Sequence, residues 1–291
     1  MTIPTFLQGH QKDLGGGFMV HRLLPSAARQ AVGPFIFFDH FGPVDVAPGA
    51  SHDVRPHPHI GLATVTYLFE GAMLHRDNIG SVQRIEPGAV NWMTAGAGIV
   101  HSERTPPDLA CVPHRTHGLQ LWAALPLAHE EDAASFVHTP AAAIPEARVG
   151  GAIVKVLVGT AFGQTSPVLT FSPTLYLDIR LPAGQELRLP GLPAEAAIYP
   201  ISGALDVDGA ALALHAMALL DSSCAPLLRA HTAARLVVIG GAPLDAPRFI
   251  YWNFVSSSRV RIDQAAQDWR AQRYPGIAGE TEWIPLPNAI A

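Results

Sequence analysis

Two short groups of histidine and acidic side chains stand out in the first half of the chain. His57 and His59 are separated by one proline, and His101 and Glu103 by one serine. In a β-strand, residues i and i+2 point to the same face, so each pair aims two potential ligands in one direction if its segment is extended. Two such strands side by side would bring three imidazoles and one carboxylate together. The spacing therefore predicts a metal site formed by His57, His59, His101 and Glu103.

The alternative is coincidence, since the chain contains 14 histidines. A single His-x-His pair is weak evidence, but a second pair with the same spacing strengthens the metal prediction. The interval between the pairs is 42 positions (101 − 59), which suits about four short strands with tight turns. Of the other histidines, His40 is a further ligand candidate, but a histidine that is hydrogen-bonded at a strand end is the favoured interpretation. His52 is expected to lie beside the ligand set or to have no role in it.

The predicted donor set limits the choice of metal. It contains no thiolate, which disfavours Cu(I) and structural zinc clusters. Three imidazoles and one carboxylate suit Fe(II), Mn, Co, Ni, Cu(II) or Zn, and the residues alone leave these alternatives open. Four protein ligands on an octahedral ion leave two positions for water, dioxygen or a chelating substrate, which indicates catalysis or sensing. A metal that only stabilises the fold is the remaining alternative.

The elements that would position these residues read as short strands. Thr64–Phe69 is rich in β-branched and aromatic residues, and Glu70-Gly71 predicts a hairpin turn into a strand at Met73–Arg76. The apolar run before Asp39 predicts a buried strand that leaves through a turn at Asp39–Pro43. Further strands are expected at Val82–Ile85, Val90–Met93 and Leu119–Leu125, and one or two opening strands are expected around Gly15–Gly17. Phe41, Met73 and Trp92 are candidates for lining a substrate pocket or for ordinary core positions.

Composition bounds the class of protein. The chain has 291 residues, 48% hydrophobic and 15% charged, with 26 glycines and 26 prolines, which favours a well-packed all-β fold. A net charge of −5 without a basic run argues against direct nucleic-acid binding. Cys111 and Cys224 match no metal or redox spacing, so free thiols are expected. Without a targeting pattern or an apolar run of membrane-spanning length, we expect a cytoplasmic protein.

Two domains are expected from the length of the chain and from a strand pattern that the second half of the chain repeats. The segment 139–151 is rich in Ala, Pro and Gly and is predicted to link a metal-binding domain, 1–138, to a second β-rich domain, 152–291. Ser202-Gly203 repeats the Glu70-Gly71 hairpin pattern, which indicates two copies of one small barrel. The second domain has only His215 and His231, each isolated in sequence, and is predicted to bind no metal.

The end of the chain predicts a helix. Ser256–Ser258 offers N-cap residues, and the stretch to Arg273 is rich in Gln, Ala, Arg and Asp. Val260, Ala265, Ala266 and Trp269 are expected on one buried face. We therefore expect a C-terminal helix of about four turns that packs on a barrel.

Several longer segments resemble the pirin family, and the resemblance spans nearly the whole chain. They are FIFFDHFGP, RPHPHIGLATVTYLFEG, IEPGAVNWMTAGAGIVHSE and RFIYWNFVSSSR. The resemblance implies two cupin (double-stranded β-helix or jelly-roll) barrels in tandem, with non-haem Fe(II) in the N-terminal one. By position the family's ligands fall on His57, His59, His101 and Glu103. The glutamate that many cupins carry soon after His-x-His is absent, since this region reads IGLATV, and Glu103 supplies the carboxylate as in pirins.

The resemblance also implies a function. Bacterial-type pirins are associated with quercetin 2,3-dioxygenase activity, so a flavonol-like substrate and dioxygen are expected, with ring opening and release of CO. Glu103 is the candidate general base for the 3-hydroxyl proton. The alternative implied by the family is an iron-dependent redox sensor or transcriptional co-regulator that acts through protein partners. Isomerase or hydrolase chemistry, known in other cupins, is a third possibility, and the family suggests a monomer.

Overall fold

The computed structural model describes residues 5–14, 18–50, 52–221 and 225–287. Gly15–Gly17, around which the opening strands are expected, and Cys224 lie outside these residues. Cys111 lies within them and is an exposed free cysteine. No helix in the described ranges is long and apolar enough to span a membrane.

The described chain consists mainly of antiparallel strands. In its first half they are β1 (Thr5–Gln8), β2 (His10–Asp13), β3 (Met19–Leu24), β4 (Phe35–Val46), β5 (Val54–His59), β6 (Leu62–Glu70), β7 (Met73–Asp77), β8 (Val82–Ile85), β9 (Val90–Thr94), β10 (Ile99–Arg104), β11 (His114–Ala124), β12 (Ser135–Thr139) and β13 (Glu146–Val149). Two short 3-10 turns occur at Leu127–His129 and Ala141–Ala143.

The second half contains as many strands and then a helix. The strands are β14 (Ala152–Val158), β15 (Thr160–Ala161), β16 (Gln164–Thr165), β17 (Thr174–Leu181), β18 (Glu186–Arg188), β19 (Glu195–Ser202), β20 (Leu205–Val207), β21 (Ala210–Leu212), β22 (Ala216–Asp221), β23 (Leu227–Ala230), β24 (Ala234–Gly241), β25 (Phe249–Tyr251) and β26 (Phe254–Ser256). The helix α1 is Arg259–Arg270. The prediction of an all-β fold that ends in a helix is therefore confirmed.

The two large sheets have corresponding strand orders, and so have the two small sheets. One seven-stranded sheet has the order β12-β9-β6-β11-β4-β3-β2, and the other has the order β1-β22-β19-β24-β17-β14-β13. The two four-stranded sheets have the orders β5-β10-β7-β8 and β18-β23-β20-β21. Each order maps onto its counterpart strand by strand, so the strand pattern repeated in the sequence corresponds to two copies of one jelly-roll module.

Contacts along the chain define two compact units made of interleaved segments. The histidine-rich unit comprises Leu14–Phe18, His40–Ala141 and the chain from Asp245 onward. The second unit comprises the described residues up to Asp13, Met19–Asp39 and Ala142–Leu244. Its core holds Leu187, Val207 and Leu228 of the small sheet beside apolar residues of the large one, such as Ile198 and Val238. The domain boundaries expected at 138 and 152 remain a prediction. By their contacts, most of the first 39 residues belong to the unit formed mainly by the second half of the chain, and the residues from Asp245 onward belong to the unit formed mainly by the first half.

The expected linker contains regular structure. Residues 139–151 include the 3-10 turn at Ala141–Ala143 and β13, which pairs with β14 at the edge of the large sheet of the second unit. β13 is an edge strand whose four residues alternate, with Ala147 buried and Val149 half-buried. Four residues are too few for this alternation to stand out among the Ala, Pro and Gly of the segment.

Both predicted glycine-centred hairpins are wrong. β6 and β7 flank Glu70-Gly71 but belong to different sheets, and so do β19 and β20, which flank Ser202-Gly203. Consecutive strands in a jelly roll often cross from one sheet to the other, and a tight glycine turn serves either connection. Gly71 has φ +84, and a Cβ there would lie 2.4 Å from the Arg115 carbonyl oxygen, so close backbone approach requires glycine at this crossing.

The expected turn at Asp39–Pro43 is also wrong. β4 continues through these residues to Val46. Gly42 has φ +74, and a Cβ there would lie 2.1 Å from the Thr116 carbonyl oxygen, so the close approach of the two backbones requires glycine. His40 is therefore in mid-strand and not at its end. Its Nε2 is hydrogen-bonded to Nε2 of His117 at 2.7 Å, which confirms the expected hydrogen-bonded role.

The C-terminal helix is confirmed with two corrections. The Ser258 hydroxyl caps it by accepting from the Arg261 N–H, and it ends at Arg270, three residues before the predicted end. Its buried face consists of Ile262, Ala265, Ala266 and Trp269. Val260, predicted on that face, is 78% exposed. At 100° per residue, Ile262 lies closer to the direction of Ala266 and Trp269 than Val260 does, so the helix buries Ile262 instead.

Candidate metal centre

The two predicted pairs lie on adjacent strands of the small sheet in the histidine-rich unit. β5 and β10 are antiparallel neighbours, with His101 directly opposite His57 and Ile99 opposite His59. Four strands, β6 to β9, occupy the interval between them, as the spacing predicted. The extended backbone turns His57 and His59 to one face of β5, and pairing with β10 brings His101 beside them.

The three imidazoles converge. One ring nitrogen of each of His57, His59 and His101 lies within 4.8 Å of the others, and all three side chains are buried. Nε2 of His59 and Nε2 of His101 are 3.1 Å apart. Two nitrogens that each bind one ion at about 2.1 Å are separated by roughly 3.0–3.4 Å for angles between octahedral and tetrahedral. The three-histidine cluster can therefore hold a metal ion.

Backbone carbonyls set the tautomers of the β5 histidines. Nδ1 of His57 is 2.8 Å from the Arg55 carbonyl oxygen, and Nδ1 of His59 is 3.2 Å from that of Asn253. A carbonyl only accepts hydrogen bonds, so both Nδ1 atoms donate and both Nε2 atoms present a lone pair. This is the arrangement that orients histidine ligands in metal sites. Nδ1 of His101 is buried and has no hydrogen-bond partner among the described residues.

Burial keeps the imidazoles in the neutral form that a metal requires. Desolvation lowers the pKa of His57 to about 4, and the hydrogen bond to the Arg55 carbonyl only partly opposes this. Desolvation, followed by repulsion from neighbouring imidazoles, takes the pKa of His59 and the pKa of His101 well below their usual range. Metal binding then has no proton to displace from these residues at neutral pH.

Glu103 lies next to the cluster but stands apart from it. Within the described chain, the group of ligand atoms mutually within 4.8 Å consists of the three histidines and contains no Glu103 oxygen. A register shift between His101 and Glu103 places Glu103 opposite Val54 of β5, while on its other side it faces His75 of β7. Burial raises the pKa of Glu103 to about 7, against a hydrogen bond from Thr66. The fourth-ligand role of Glu103 remains a prediction.

A third pair with the same spacing was missed from the sequence. His75 and Asp77 lie on β7, the other neighbour of β10, and Asp77 is directly opposite His101. His75 Nε2 donates to Asp77 Oδ2 at 2.9 Å, and both side chains are buried. Burial tends to raise the pKa of Asp77, but hydrogen bonds from His75 and Ser81 outweigh it and lower the pKa. The signal was available, because His75-Arg76-Asp77 repeats the i, i+2 pattern.

Polar residues of the large sheet face the same interior. Thr66 of β6 is paired with Gln120 of β11, and the Thr66 hydroxyl lies 2.9 Å from Gln120 Oε1 and 3.4 Å from Glu103 Oε1. Two positions further along β11, the Trp122 ring meets the His59 ring edge-on at 5.2 Å between centroids. Both strands are predicted from the sequence, but none of these three residues is identified there as part of the site.

The three candidate pocket residues separate by face. Trp92 is paired with Val65, so it points away from Thr66 and cannot line the site side, which corrects that suggestion. Met73 shares a face of β7 with His75, on the ligand side, and is half-buried. The Phe41 ring packs over Gly118, where a Cβ would lie 2.6 Å from it, and Gly118 is paired with Leu68 on the Thr66 side. Met73 and Phe41 are thus on the face that carries the site.

The remaining histidines lie outside the cluster. The His52 ring stacks on Phe18 with centroids 4.8 Å apart. In the second unit, the strands that correspond to β5 and β10 are β18 and β23, and their facing inward residues are the buried Leu187 and Leu228. Apolar side chains stand where the histidine-rich unit has His57 and His101. His215, which is isolated in sequence, stacks on His21 with ring centroids 3.7 Å apart.

Comparison with known proteins gives consistent matches over most of the chain. Residues 17–123 match the family model Pirin, and residues 176–275 match that of the pirin C-terminal cupin domain. These matches confirm the expected tandem of cupin domains. Their ranges contain all four predicted ligands in the first domain.

Individual relatives are similar over nearly their full length. A pirin-like protein of Caulobacter vibrioides is 44% identical over 291 residues, covering 98% of this chain and 100% of the relative. Pirin of Mus musculus is 35% identical over 282 residues, covering 94% of this chain and 93% of its own. The crystal structure of quercetin 2,3-dioxygenase from Acinetobacter baumannii superposes with a TM-score of 0.92 at 32% identity, covering 98% of this chain and 95% of that one.

Proposed function

The chain belongs to the pirin family, and from that premise we propose that it is a metal-dependent dioxygenase of the quercetin 2,3-dioxygenase type. The observation that carries the proposal is the convergence of three buried, neutral histidines beside a buried carboxylate. The similarity to the Acinetobacter baumannii dioxygenase, at 32% identity and a TM-score of 0.92, supports the same substrate class. The substrates are then a flavonol and dioxygen, and the products are the opened ring and CO.

The proposed cofactor is one divalent ion, Fe(II), held by His57, His59, His101 and Glu103. Nitrogen-rich coordination with one oxygen also suits Mn, Co, Ni, Cu(II) and Zn. Metal analysis of the purified protein would identify the ion. Glu103 would complete the set by a side-chain movement toward the histidines. When bound, the ion supplies Lewis acidity toward a substrate hydroxyl and the redox chemistry that dioxygen activation requires.

The chain's own residues would handle the proton. We assign Glu103 as the acceptor of the 3-hydroxyl proton of the flavonol, a role for which it would loosen from the ion. It is one of two buried carboxylates beside the histidines, and the other, Asp77, already accepts hydrogen bonds from His75 and Ser81. The Thr66 hydroxyl, shared between Gln120 and Glu103, orients the Glu103 carboxylate. The low exposure of the surrounding strands keeps bulk water from the site and strengthens each electrostatic interaction there.

The test is turnover of the metal-loaded protein with its ligand set altered. Anaerobic loading with Fe(II) should give a protein that consumes oxygen and releases CO with quercetin, and His59→Ala should lose both metal and turnover. Glu103→Gln should keep the fold and lose turnover. Full activity in metal-loaded Glu103→Gln contradicts the base role. Tight iron binding with no turnover in the unaltered protein favours the redox-sensing regulator that acts through protein partners.

A further inference from the structure

A hairpin from the C-terminal part of the chain, formed by β25 and β26, lies beside β5, the strand that carries His57 and His59. β25 and β26 pair with Tyr251 opposite Phe254, which leaves Trp252 and Asn253 as a two-residue loop. The Val255 N–H donates to the Ile60 carbonyl at 3.2 Å. The Asn253 carbonyl accepts the hydrogen bond from His59 Nδ1. One loop residue of this hairpin therefore determines which nitrogen of a predicted ligand carries the proton.

The loop has an unfavourable backbone conformation. Trp252 has φ +53, whereas Asn253 is not among the residues with positive φ. A two-residue hairpin loop with only its first residue at positive φ prefers glycine there. Tryptophan in the left-handed region is strained and persists only where the surroundings impose that conformation. Conformations of this kind concentrate at functional sites.

A buried ion pair fixes the start of this hairpin. The Arg248 side chain is 1% exposed, and its Nε lies 2.6 Å from Oε1 of Glu130. Its Nη2 donates to the Leu125 carbonyl oxygen at 2.7 Å. Glu130 in turn accepts from the backbone N–H and the hydroxyl of Ser257, just past the end of the hairpin. Both ends of the hairpin are thus attached to one glutamate.

We propose that the Trp252–Asn253 turn is a positioning element of the metal centre, which holds His59 in the tautomer that presents Nε2 to the ion. The inference rests on the metal site of the proposed function, but not on the reaction catalysed there. The competing explanation is purely structural: the Trp252 ring packs against Phe254 and Trp269, at 5.6 and 6.3 Å between centroids, and this packing alone imposes the turn.

Two substitutions at one position separate these explanations. Trp252→Gly and Trp252→Val both remove the ring, but glycine favours the left-handed conformation and valine opposes it. Histidine tautomers are read in the metal-free proteins from long-range proton–nitrogen correlation spectra, and affinity is measured by titration with Co²⁺. We expect Trp252→Val to lose the Nδ1–H tautomer of His59 and to bind Co²⁺ at least about tenfold more weakly than Trp252→Gly, while the His57 tautomer is unchanged.

Equal tautomers and equal affinities in the two variants would overturn the proposal and support the packing explanation. If Trp252→Val does not fold, Arg248→Lys replaces it, with Arg235→Lys as the control. Arg235 also pairs with a buried carboxylate, that of Asp178, through Nε at 2.9 Å and Nη2 at 2.6 Å, in the second unit. Only Arg248→Lys should weaken Co²⁺ binding, and an equal effect in both variants overturns the proposal. The tautomer measurement uses metal-free protein, so it remains decisive if the protein proves not to be a dioxygenase.

Discussion

Ser102 donates a hydrogen bond of 2.8 Å to Glu280, a residue 178 positions later in the chain. Glu280 also pairs with Arg104, which shares the outer face of β10 with Ser102. His101 and Glu103 occupy the opposite face of the same strand. The C-terminal segment therefore holds the back of the strand whose front carries the predicted ligands.

Loss of this carboxylate should destabilise the histidine-rich unit. Glu280→Gln removes the charged partner of Arg104, whose side chain is 18% exposed, and we expect a loss of about 1 kcal/mol in the free energy of unfolding at pH 7. Chemical denaturation measures the change. Glu282→Gln, at an exposed position two residues later, is the matched control and should change stability by less than about 0.5 kcal/mol. Equal effects in both variants would contradict a specific contact.

The same contact predicts a dependence on pH. The hydrogen bond from Arg104 lowers the pKa of Glu280 below its ordinary value of 4.5. A carboxyl group whose pKa is lower in the folded state stabilises the fold above the unfolded value, and that stability is lost as pH falls through the folded value. The stability difference between the unaltered protein and Glu280→Gln should be constant from neutral pH down to about 5.5 and shrink below 4.5. A difference that grows on acidification would refute this assignment.

Thr66 should affect turnover more than metal content. Thr66→Val keeps the shape but removes the hydroxyl shared between Gln120 and Glu103, and we expect kcat to fall by roughly 5–20-fold, equivalent to about 1–2 kcal/mol. Metal content per chain, measured by elemental analysis, should not change. Thr64→Val, two residues away on the same face of β6 and equally buried, is the control. A comparable loss in both variants would point to general disruption of the sheet.

Gly61 should be intolerant of a side chain. It follows His59 by two residues at φ +68, and a Cβ would lie 2.0 Å from the Val255 carbonyl oxygen of the hairpin. Gly61→Ala combines backbone strain with this overlap and should cost about 3 kcal/mol or more. Gly49 has φ +79, and no atom lies within 4 Å of the position that a Cβ would occupy. Gly49→Ala therefore measures the backbone strain without any overlap and should cost about 1 kcal/mol. Thermal and chemical unfolding of both variants would measure the difference.

Metal binding should stabilise only proteins with the histidine cluster intact. At a free metal concentration of 100 times Kd, the folded protein gains about 2.7 kcal/mol, and a chelator should reverse the gain. His101→Ala should lose this response. His215→Ala alters a histidine of the second unit and should retain it. Retention of the full response in His101→Ala would place the metal elsewhere.

The amino-acid sequence was sufficient for features that depend on local periodicity. The side chains of a strand alternate between two faces whatever its neighbours are, so His57 and His59 could be assigned to a common face before any sheet was known. The same reasoning gave the buried face of α1 except at its first turn, where Val260 is exposed and Ile262 is buried. The resemblance to pirins, carried by long contiguous segments, gave the tandem cupin fold.

Only the tertiary structure decided which strands are neighbours. The pairing of β7 with β10 brings His75 and Asp77 to the site, and the return of the β25–β26 hairpin brings the Asn253 carbonyl to His59. The register shift between His101 and Glu103 places Glu103 opposite Val54 of β5. These relationships join residues up to 194 positions apart, and they depend on cross-strand register and on where the chain ends return, which side-chain alternation within one segment does not specify.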